Sequence, residues 1–204
     1  MSVTVVDHPL AGHLLTALRD EATPPPLFRT IAKRLALALV LEAIRDLPTR
    51  AVEVRTPLAT TSGVALDDLV VVPILRAGLG MLEATLELFP EVAVGYLGLE
   101  RDEASLHASS YYRKLPPVEG RHVLVLDPML ATGGSGSAAC AAVRERRPAS
   151  IRFVCVVAAP EGIARMAADH PDVPIVTAAI DERLNDRGYI VPGLGDFGDR
   201  LFGT

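Results

Sequence analysis

The chain reads HVLVLDPMLATGGS from His122 to Ser135, an apolar run that is followed by an acid and a glycine-bearing turn. The continuous apolar stretch is typical of a strand covered on both faces in a parallel sheet. Gly133 and Gly134 allow a close turn, and a helix that starts there adds the positive end of its dipole. We therefore predict that a buried strand delivers Asp127 and outward-pointing N–H groups and hydroxyls to one edge of a sheet.

Other runs outside this stretch show the same character. Val70 to Leu75 and Phe153 to Val157 are continuously apolar rather than alternating, which favours strands buried between two layers of helices. Strands are predicted at 51–57, 69–75, 92–98, 122–126, 151–158 and 174–180. Because helical patterns separate several of them, we predict an α/β doubly wound fold with a mainly parallel sheet flanked by helices, in a single domain over residues 1–204.

The first 48 residues are predicted to form helices. One helix starts near Asp7 and continues to Asp20, and a longer one runs from Leu27 to about Ile44. The segment Leu35 to Leu41 is apolar on nearly every face, so this helix either lies in the core or packs against another subunit. By contrast, Leu99 to Pro116 is a long polar connection, and such connections usually have a function.

Composition limits the classes of function. The 204 residues include 20 basic and 25 acidic side chains, a formal net charge of -5, which argues against a broad nucleic-acid surface. Cys140 and Cys155 are too few for a disulfide framework and indicate buried thiols in a reducing compartment. No signal-peptide pattern and no apolar run of about 20 residues is present. We expect a cytoplasmic protein that binds neither nucleic acid nor membranes.

The glycine turn differs from two other glycine-rich motifs. No lysine lies between Asp127 and Ser135, so the turn is not a P-loop for a nucleoside triphosphate. Residues 133–137 end in serine rather than glycine and do not form a nucleophile elbow. The remaining interpretations are an ordinary turn before a helix, or a phosphate cradle built from the N–H groups of Ala131 to Ser135 and the hydroxyls of Thr132 and Ser135.

Two further loops carry candidate ligand groups. Arg76 follows a predicted strand, at the edge where open α/β sheets bind ligands, and its guanidinium suits phosphate oxygens, although a solvated turn arginine is the alternative. Gly193 to Gly198 matches G-x-G-x-x-G as a string, but the chain ends six residues later, which excludes a dinucleotide-binding unit. The apolar residues around it favour a packed loop whose backbone faces a planar ligand over a loose tail.

Four blocks together resemble the uracil phosphoribosyltransferase family. They lie at 72–81, 127–135, 157–162 and 188–196. Pro128 supports the resemblance to this family in particular. The wider phosphoribosyltransferase motif usually has two adjacent acids at this point, and the uracil family is the exception that this chain resembles. The resemblance implies a type I phosphoribosyltransferase-like fold with a lid loop at 99–116 and a C-terminal base-binding segment at 181–204. It also implies transfer of the 5-phosphoribosyl group from phosphoribosyl diphosphate (PRPP) to uracil, which gives UMP and diphosphate.

The same resemblance implies the roles of individual residues. The ribose and 5-phosphate of PRPP would be held by Asp127, Pro128, Met129, Leu130, Ala131, Thr132, Gly133, Gly134 and Ser135. Arg76 would contact the diphosphate, and Arg101 in the lid would contact PRPP. Uracil would be surrounded by Ile190, Gly195, Asp196 and Phe197, with Asp196 also contacting PRPP. The catalytic residues would be Arg76, Asp127 and Asp196.

Two positions depart from the family pattern. The lid follows it only loosely between Asp102 and Ser110, so no contact beyond Arg101 is assigned there. Phe197 stands where a small residue is common in the family. If this position contacts the base through its backbone, the larger side chain need not matter.

Further expectations concern cofactors and partners. Mg²⁺ is the natural partner of the diphosphate and needs few protein ligands, and the histidine spacings show no zinc or iron site. The resemblance implies a GTP effector and a homodimer or higher homo-oligomer. Two alternatives remain open at this point: a nucleotide-sensing, RNA-binding regulator of the same fold, and a phosphoribosyltransferase for another base.

Overall fold

The structure, a computed structural model, describes residues 1–66, 68–101 and 108–204, with the backbone alone at 100–101 and 108–110. Helices are α1 (Pro9–Arg19), α2 (Pro25–Ala43), α3 (Leu79–Leu88), α4 (Gly134–Arg144), α5 (Pro160–Asp169) and α6 (Phe197–Phe202). Strands are β1 (Val3–Val5), β2 (Thr49–Arg55), β3 (Thr60–Leu66), β4 (Leu69–Leu75), β5 (Ala93–Val94), β6 (Tyr96–Arg101), β7 (Ala108–Lys114), β8 (His122–Leu126), β9 (Met129–Leu130), β10 (Ser150–Val154), β11 (Val157–Ala158), β12 (Ile175–Thr177), β13 (Ala179–Ile180), β14 (Arg183–Leu184) and β15 (Ile190–Val191).

The central sheet has the strand order β1-β12-β10-β8-β4-β6-β7, with β5 also paired to β4. Its pairs are parallel except β6 with β7 at one edge. This arrangement confirms the predicted α/β fold with a mainly parallel sheet. The predicted bounds of β4 and β8 coincide with the observed ones, because both strands are buried on two faces and therefore continuously apolar.

The two faces of the sheet bury separate parts of the core. Along β4, Val71 packs in one cluster with α1, α2 and α3, whereas Val70 and Val72 pack in another with α4 and α5. This alternation follows from the two-residue period of a strand. Leu35 and Leu39 of α2 are fully buried in the first cluster, so α2 is a core helix. No helix within the described ranges is long and apolar enough to cross a membrane.

Both N-terminal helices start at positions other than those predicted. The N-cap of α1 is His8 rather than Asp7, and its side chain accepts a hydrogen bond from Leu10 N at 3.1 Å. α2 begins at Pro25 rather than Leu27. Proline is tolerated in the first turn because the N–H it lacks would have no partner within the helix there.

The run predicted as a strand at 51–57 lies outside the central sheet. It forms β2, at 49–55, which pairs with β3 in an antiparallel hairpin. All of its residues except Val52 are exposed. Leu58 at the turn is 96% exposed and Val64 is 77% exposed.

Three predicted stretches are divided differently in the structure. The run 92–98 becomes β5 and the first part of β6, while 151–158 and 174–180 each break into two strands. The second strands, β11 and β13, join β9 in a small parallel sheet. The connection predicted at 99–116 is partly strand, since it contains the end of β6 and all of β7. The centre of the predicted lid, 102–107, lies outside the described residues.

Candidate functional site

The sheet brings Arg76 and Asp127 to the same edge. β4 and β8 are parallel neighbours in which Pro73 is the partner of Leu126, so both chains leave the sheet side by side. The loop after β4 then packs closely on the end of β8. A methyl group added at Gly78 would lie only 2.5 Å from Leu126 O, which explains why a residue without a side chain occupies this position.

The turn after Asp127 is anchored by the small second sheet. Met129 and Leu130 form β9 and pair with Val157 and Ala158 of β11. The carbonyl of Pro128 accepts hydrogen bonds from the N–H groups at 156 and 157, at 2.9 and 3.1 Å. Pro128 and Leu130 are buried, so any contact they make with a ligand comes from the backbone. This second sheet was not predicted from the sequence, because two-residue strands carry no periodic signal.

The start of α4 supplies the outward-pointing N–H groups. Gly133 is the N-cap, with a φ of 77° in the left-handed region that favours glycine. Within the described chain, the N–H groups of Gly133, Gly134 and Ser135 have no backbone acceptor, as expected for the first turn of a helix. They border a recess of about 30 Å³ that is lined by Asp127 and by 129–136. The recess is suited to a small anion.

Ala131 departs from the expected cradle. Its N–H donates to Met129 O at 3.1 Å and is therefore not offered to a ligand. The prediction that consecutive N–H groups from Ala131 to Ser135 point outward is wrong at this first position. The tight turn that follows β9 uses this donor internally.

The first turn of α4 is tied to the end of α5. Ser137 Oγ donates to Asp169 Oδ2 at 2.6 Å, and the ring Nε2 of His170 lies 2.9 Å from Ser137 O. The hydrogen bond from Ser137, together with one from Arg165, lowers the pKa of Asp169 below its usual value. The charged carboxylate therefore holds the helix that carries the turn.

The C-terminal segment reaches the loop that carries Arg76. Arg76 Nη2 lies 3.6 Å from Asp199 Oδ1 in α6, and its side chain remains 61% exposed. Asp196 is the N-cap of α6, and its Oδ1 accepts from Asp199 N at 2.9 Å. A methyl group at Gly198 would come within 3.9 Å of Ala77 Cβ. The structure thus places the segment that carries Asp196 beside the Arg76 loop.

The predicted base-contacting residues differ in exposure. Phe197 is buried, and its ring packs edge-on against Phe28 with centroids 5.1 Å apart. Its side chain therefore belongs to the core, and only its backbone is available to a ligand. Ile190 is buried in β15, whereas Gly195 and Asp196 are exposed. Arg101 ends β6, and its side chain lies outside the described part of the structure.

The cysteines are not reactive groups of this site. Burial raises the pKa of Cys155, which lies at the end of β10, to about 12, and it raises the pKa of Cys140 in α4 to about 12 as well. Thiols that stay protonated are poor nucleophiles and poor metal ligands. In the described ranges, no three His, Cys, Asp or Glu side chains group together as a metal site.

Comparison with known proteins agrees along the whole length. The family model described as uracil phosphoribosyltransferase matches residues 5–204. A curated uracil phosphoribosyltransferase from Dictyoglomus turgidum is 53% identical over 205 residues, which are 99% of this chain and 99% of that protein. A solved structure from Aquifex aeolicus superposes with a TM-score of 0.96 at 41% identity, over 99% of this chain and 98% of that one.

A more distant structure shares the fold alone. A purine phosphoribosyltransferase from Pyrococcus horikoshii has a TM-score of 0.52 at 14% identity, over 74% of this chain and 84% of that one. The match supports the arrangement of sheet and helices and says nothing about the base.

Proposed function

The chain belongs to the uracil phosphoribosyltransferase family, and on this premise we propose that it transfers the 5-phosphoribosyl group of PRPP to uracil. The products are UMP and diphosphate. One observation carries the proposal beyond the family match: the turn after β8, the Arg76 loop and the segment leading into α6 meet at one edge of the sheet. Each supports one part of the reaction, namely the sugar phosphate, the diphosphate and the base.

The turn after β8 would hold the ribose 5-phosphate. The N–H groups of Gly133, Gly134 and Ser135 and the positive end of α4 favour a phosphate in the recess. Asp127 at the mouth of the recess would accept hydrogen bonds from ribose hydroxyls. The arrangement orients the sugar so that its C1 carbon faces the other two loops.

Arg76 would stabilise the departing diphosphate. The bond from C1 to the diphosphate oxygen breaks while the bond from C1 to N1 of uracil forms, and the N1 proton is lost to solvent. Negative charge accumulates on the leaving group, where a guanidinium stabilises it by charge-assisted hydrogen bonds. Arg76 is exposed and only loosely paired with Asp199 at 3.6 Å, so little has to be broken for it to bind the diphosphate. Arg101 and the lid at 99–116 would complete the donor contacts and exclude water.

Backbone groups of Ile190 and of Gly195 to Phe197 would read the base. Uracil has O4 as an acceptor and N3–H as a donor, and cytosine reverses both. Fixed backbone groups leave polar atoms unpaired with the wrong base, which discriminates strongly. The burial of the Phe197 ring in the core supports a backbone contact at that position.

Mg²⁺ fits these residues as a partner of the diphosphate. The edge carries the carboxylates of Asp127 and Asp196 but, in the part of the chain that is described, no cluster that would form a metal cage. Magnesium commonly binds through one or two carboxylates with substrate phosphates and water. When bound, it would neutralise charge on the diphosphate.

The test is a turnover assay with one base at a time. The protein, PRPP and Mg²⁺ are incubated with uracil, cytosine or hypoxanthine, and diphosphate release and nucleotide formation are followed. Uracil-dependent release of diphosphate with equimolar UMP is expected. Turnover with another base only, or with none, would contradict the proposal.

The finer properties implied by the family are also proposed. We infer that the chain forms a homodimer or higher homo-oligomer, since the β2–β3 hairpin exposes Leu58 and Val64. The buried side chains of α2 already pack in the core of the same chain. GTP is proposed as an activating effector, and the buried thiols support a reducing, cytoplasmic setting. Sedimentation tests the oligomeric state, and the turnover assay with and without GTP tests the effector. A monomer would contradict the first proposal, and an activity that GTP leaves unchanged would contradict the second.

The regulator of RNA is not favoured. The chain is acidic overall, with a net charge of -5, and the family match extends through the C-terminal segment. A transferase for another base is disfavoured for the second of these reasons.

A further inference from the structure

Gly193 lies in the middle of the proposed base-binding segment, and one ion pair binds both its backbone N–H and its backbone C=O. Gly193 N donates to Asp181 Oδ2 at 2.8 Å, and Gly193 O accepts from Arg19 Nη1 at 2.7 Å. Arg19 and Asp181 are joined by two hydrogen bonds of 2.8 and 2.6 Å. We call the group formed by Arg19, Asp181 and Gly193 the base clamp.

The base clamp is largely withdrawn from water. The Asp181 side chain is 4% exposed and the Arg19 side chain 26%. A charge this deep needs its partners, because removing one leaves the other buried and unpaired. Arg19 forms a planar fork against the carboxylate and still donates to a carbonyl, a geometry that lysine cannot reproduce. The segment is therefore held in one register relative to α1.

Arg200 makes a second connection between the same elements. Its Nη1 donates to Leu194 O at 2.8 Å and also to Leu18 O, and its Nη2 donates to Asp20 O at 2.6 Å. The guanidinium lies 4.4 Å from the centre of the Phe28 ring. Two consecutive carbonyls of the segment, at 193 and 194, are thus fixed by arginines that contact the end of α1.

The ends of the segment are fixed by ordinary secondary structure, and its middle is not. β15 pairs with β14 before the clamp, and α6 begins at Phe197 after it. Between them, the chain must place the backbone of Gly195 to Phe197 accurately enough to match the polar edge of a base. Catalytic and binding groups need supporting contacts of this kind to keep their geometry.

We propose that Arg19 and Asp181 are positioning residues that set uracil affinity through Gly193, without contact with the base. The proposal rests on the proposed function, because it assumes that the segment reads uracil. Loss of the clamp would loosen the base readout and leave the recess at the start of α4 intact. The expected signature is a change in KM for uracil without a change in KM for PRPP.

The experiment uses Asp181→Asn and Arg19→Gln in the full chain. Asp181→Asn keeps the size of the side chain and Arg19→Gln keeps a polar one, but each removes the charged pair. KM for uracil should rise about ten-fold or more, while KM for PRPP stays within about two-fold. Arg45→Ala is the control, because it removes another arginine that makes two hydrogen bonds to a carboxylate, that of Glu42, but whose own side chain is 74% exposed, and it should change neither constant. Equal rises in both constants, or an unchanged uracil KM in folded protein, would overturn the proposal.

Hydrogen exchange separates this proposal from the proposed function. In the protein without ligands, the Gly193 amide should exchange slowly, and exchange should accelerate in Arg19→Gln while the amides of α4 from Ser137 onward stay protected. This result is expected even if the protein shows no turnover with uracil. If Asp181→Asn does not fold, Arg19→Lys retains the charge and should give the same separation of KM values to a smaller degree. Unaltered exchange at 193–195 in Arg19→Gln would contradict the clamp.

Discussion

The turn from Asp127 to Ser135 and the segment from Ile190 to Phe197, which we propose form one site, are held in place by different interactions. The turn is an extension of buried strands, and its anchors are backbone hydrogen bonds from β10 and β11. The segment from Ile190 to Phe197 lies outside the central sheet, and side chains hold its backbone: Asp181 and Arg200 are near it in sequence, and Arg19 comes from the other end of the chain. On the proposed function, backbone groups anchored by strands hold the sugar phosphate, whereas a segment supported by side chains reads the base.

The largest expected effect lies at Arg76, which stands between the two regions. Arg76→Ala should lower kcat/KM by about a hundred-fold, because it removes the cation that we propose stabilises the leaving diphosphate. The fold should be retained, since the side chain is exposed and weakly paired. Steady-state kinetics with a thermal melt check both parts, and Arg45→Ala is the control. Activity near that of the unaltered protein would exclude Arg76 from the site.

Gly162→Ala should disturb the turn and spare the base segment. Its new methyl group would lie 2.5 Å from Ala131 O and 2.7 Å from Leu130 O, which forces α5 away from the turn. We expect a loss of about 1–3 kcal/mol in the free energy of unfolding in urea, together with a higher KM for PRPP. Gly12→Ala is the control, since a methyl group there meets nothing within 4 Å and a helical alanine should slightly stabilise the protein. A rise in uracil KM alone would contradict the division between the regions.

A smaller effect concerns acid stability on the side of the turn. Asp169 has a lowered pKa in the folded protein because it accepts hydrogen bonds from Ser137 and Arg165. Its contribution to stability is therefore complete above its unfolded pKa and is lost as the pH falls through the folded value. Asp169→Asn should remove this part of the acid dependence, by about 1 kcal/mol or less for a partly exposed pair. Urea unfolding between pH 2 and 6 measures it, with Asp7→Asn as the exposed control. An identical pH profile would show that the link contributes nothing.

The smallest expected effect concerns the two cysteines near the turn, which should not react with a thiol reagent in the folded protein. Cys155 and Cys140 are buried with pKa values raised to about 12, so a thiol reagent at pH 8 should not label either in the folded protein. Both should react once urea unfolds the chain. Rapid labelling of Cys155 before unfolding would show that the sheet next to the turn opens readily. This would contradict the stable backbone anchoring of the turn by β10 and β11.

The two regions also differ in what the sequence could foretell. The bounds of β4 and β8 follow from continuous apolar runs, and the start of α4 follows from its glycines. Arg19 and Asp181 lie 162 positions apart, and no local pattern predicts their pairing. The small sheet of β9, β11 and β13 was missed because its strands are too short to show a period. The strand at 51–57 is predicted from its β propensity, but its place in an exposed hairpin is not, since β propensity does not reveal which partner a strand has.

Hydrogen exchange with two related ligands tests the division of the site most directly. Ribose 5-phosphate and UMP share the sugar phosphate and differ at C1, where UMP carries uracil and ribose 5-phosphate carries a hydroxyl. We predict that both slow amide exchange at 133–137, and that UMP alone also slows exchange at 190–197. The same protection pattern with both ligands, or no protection at the start of α4 with either, would contradict the account.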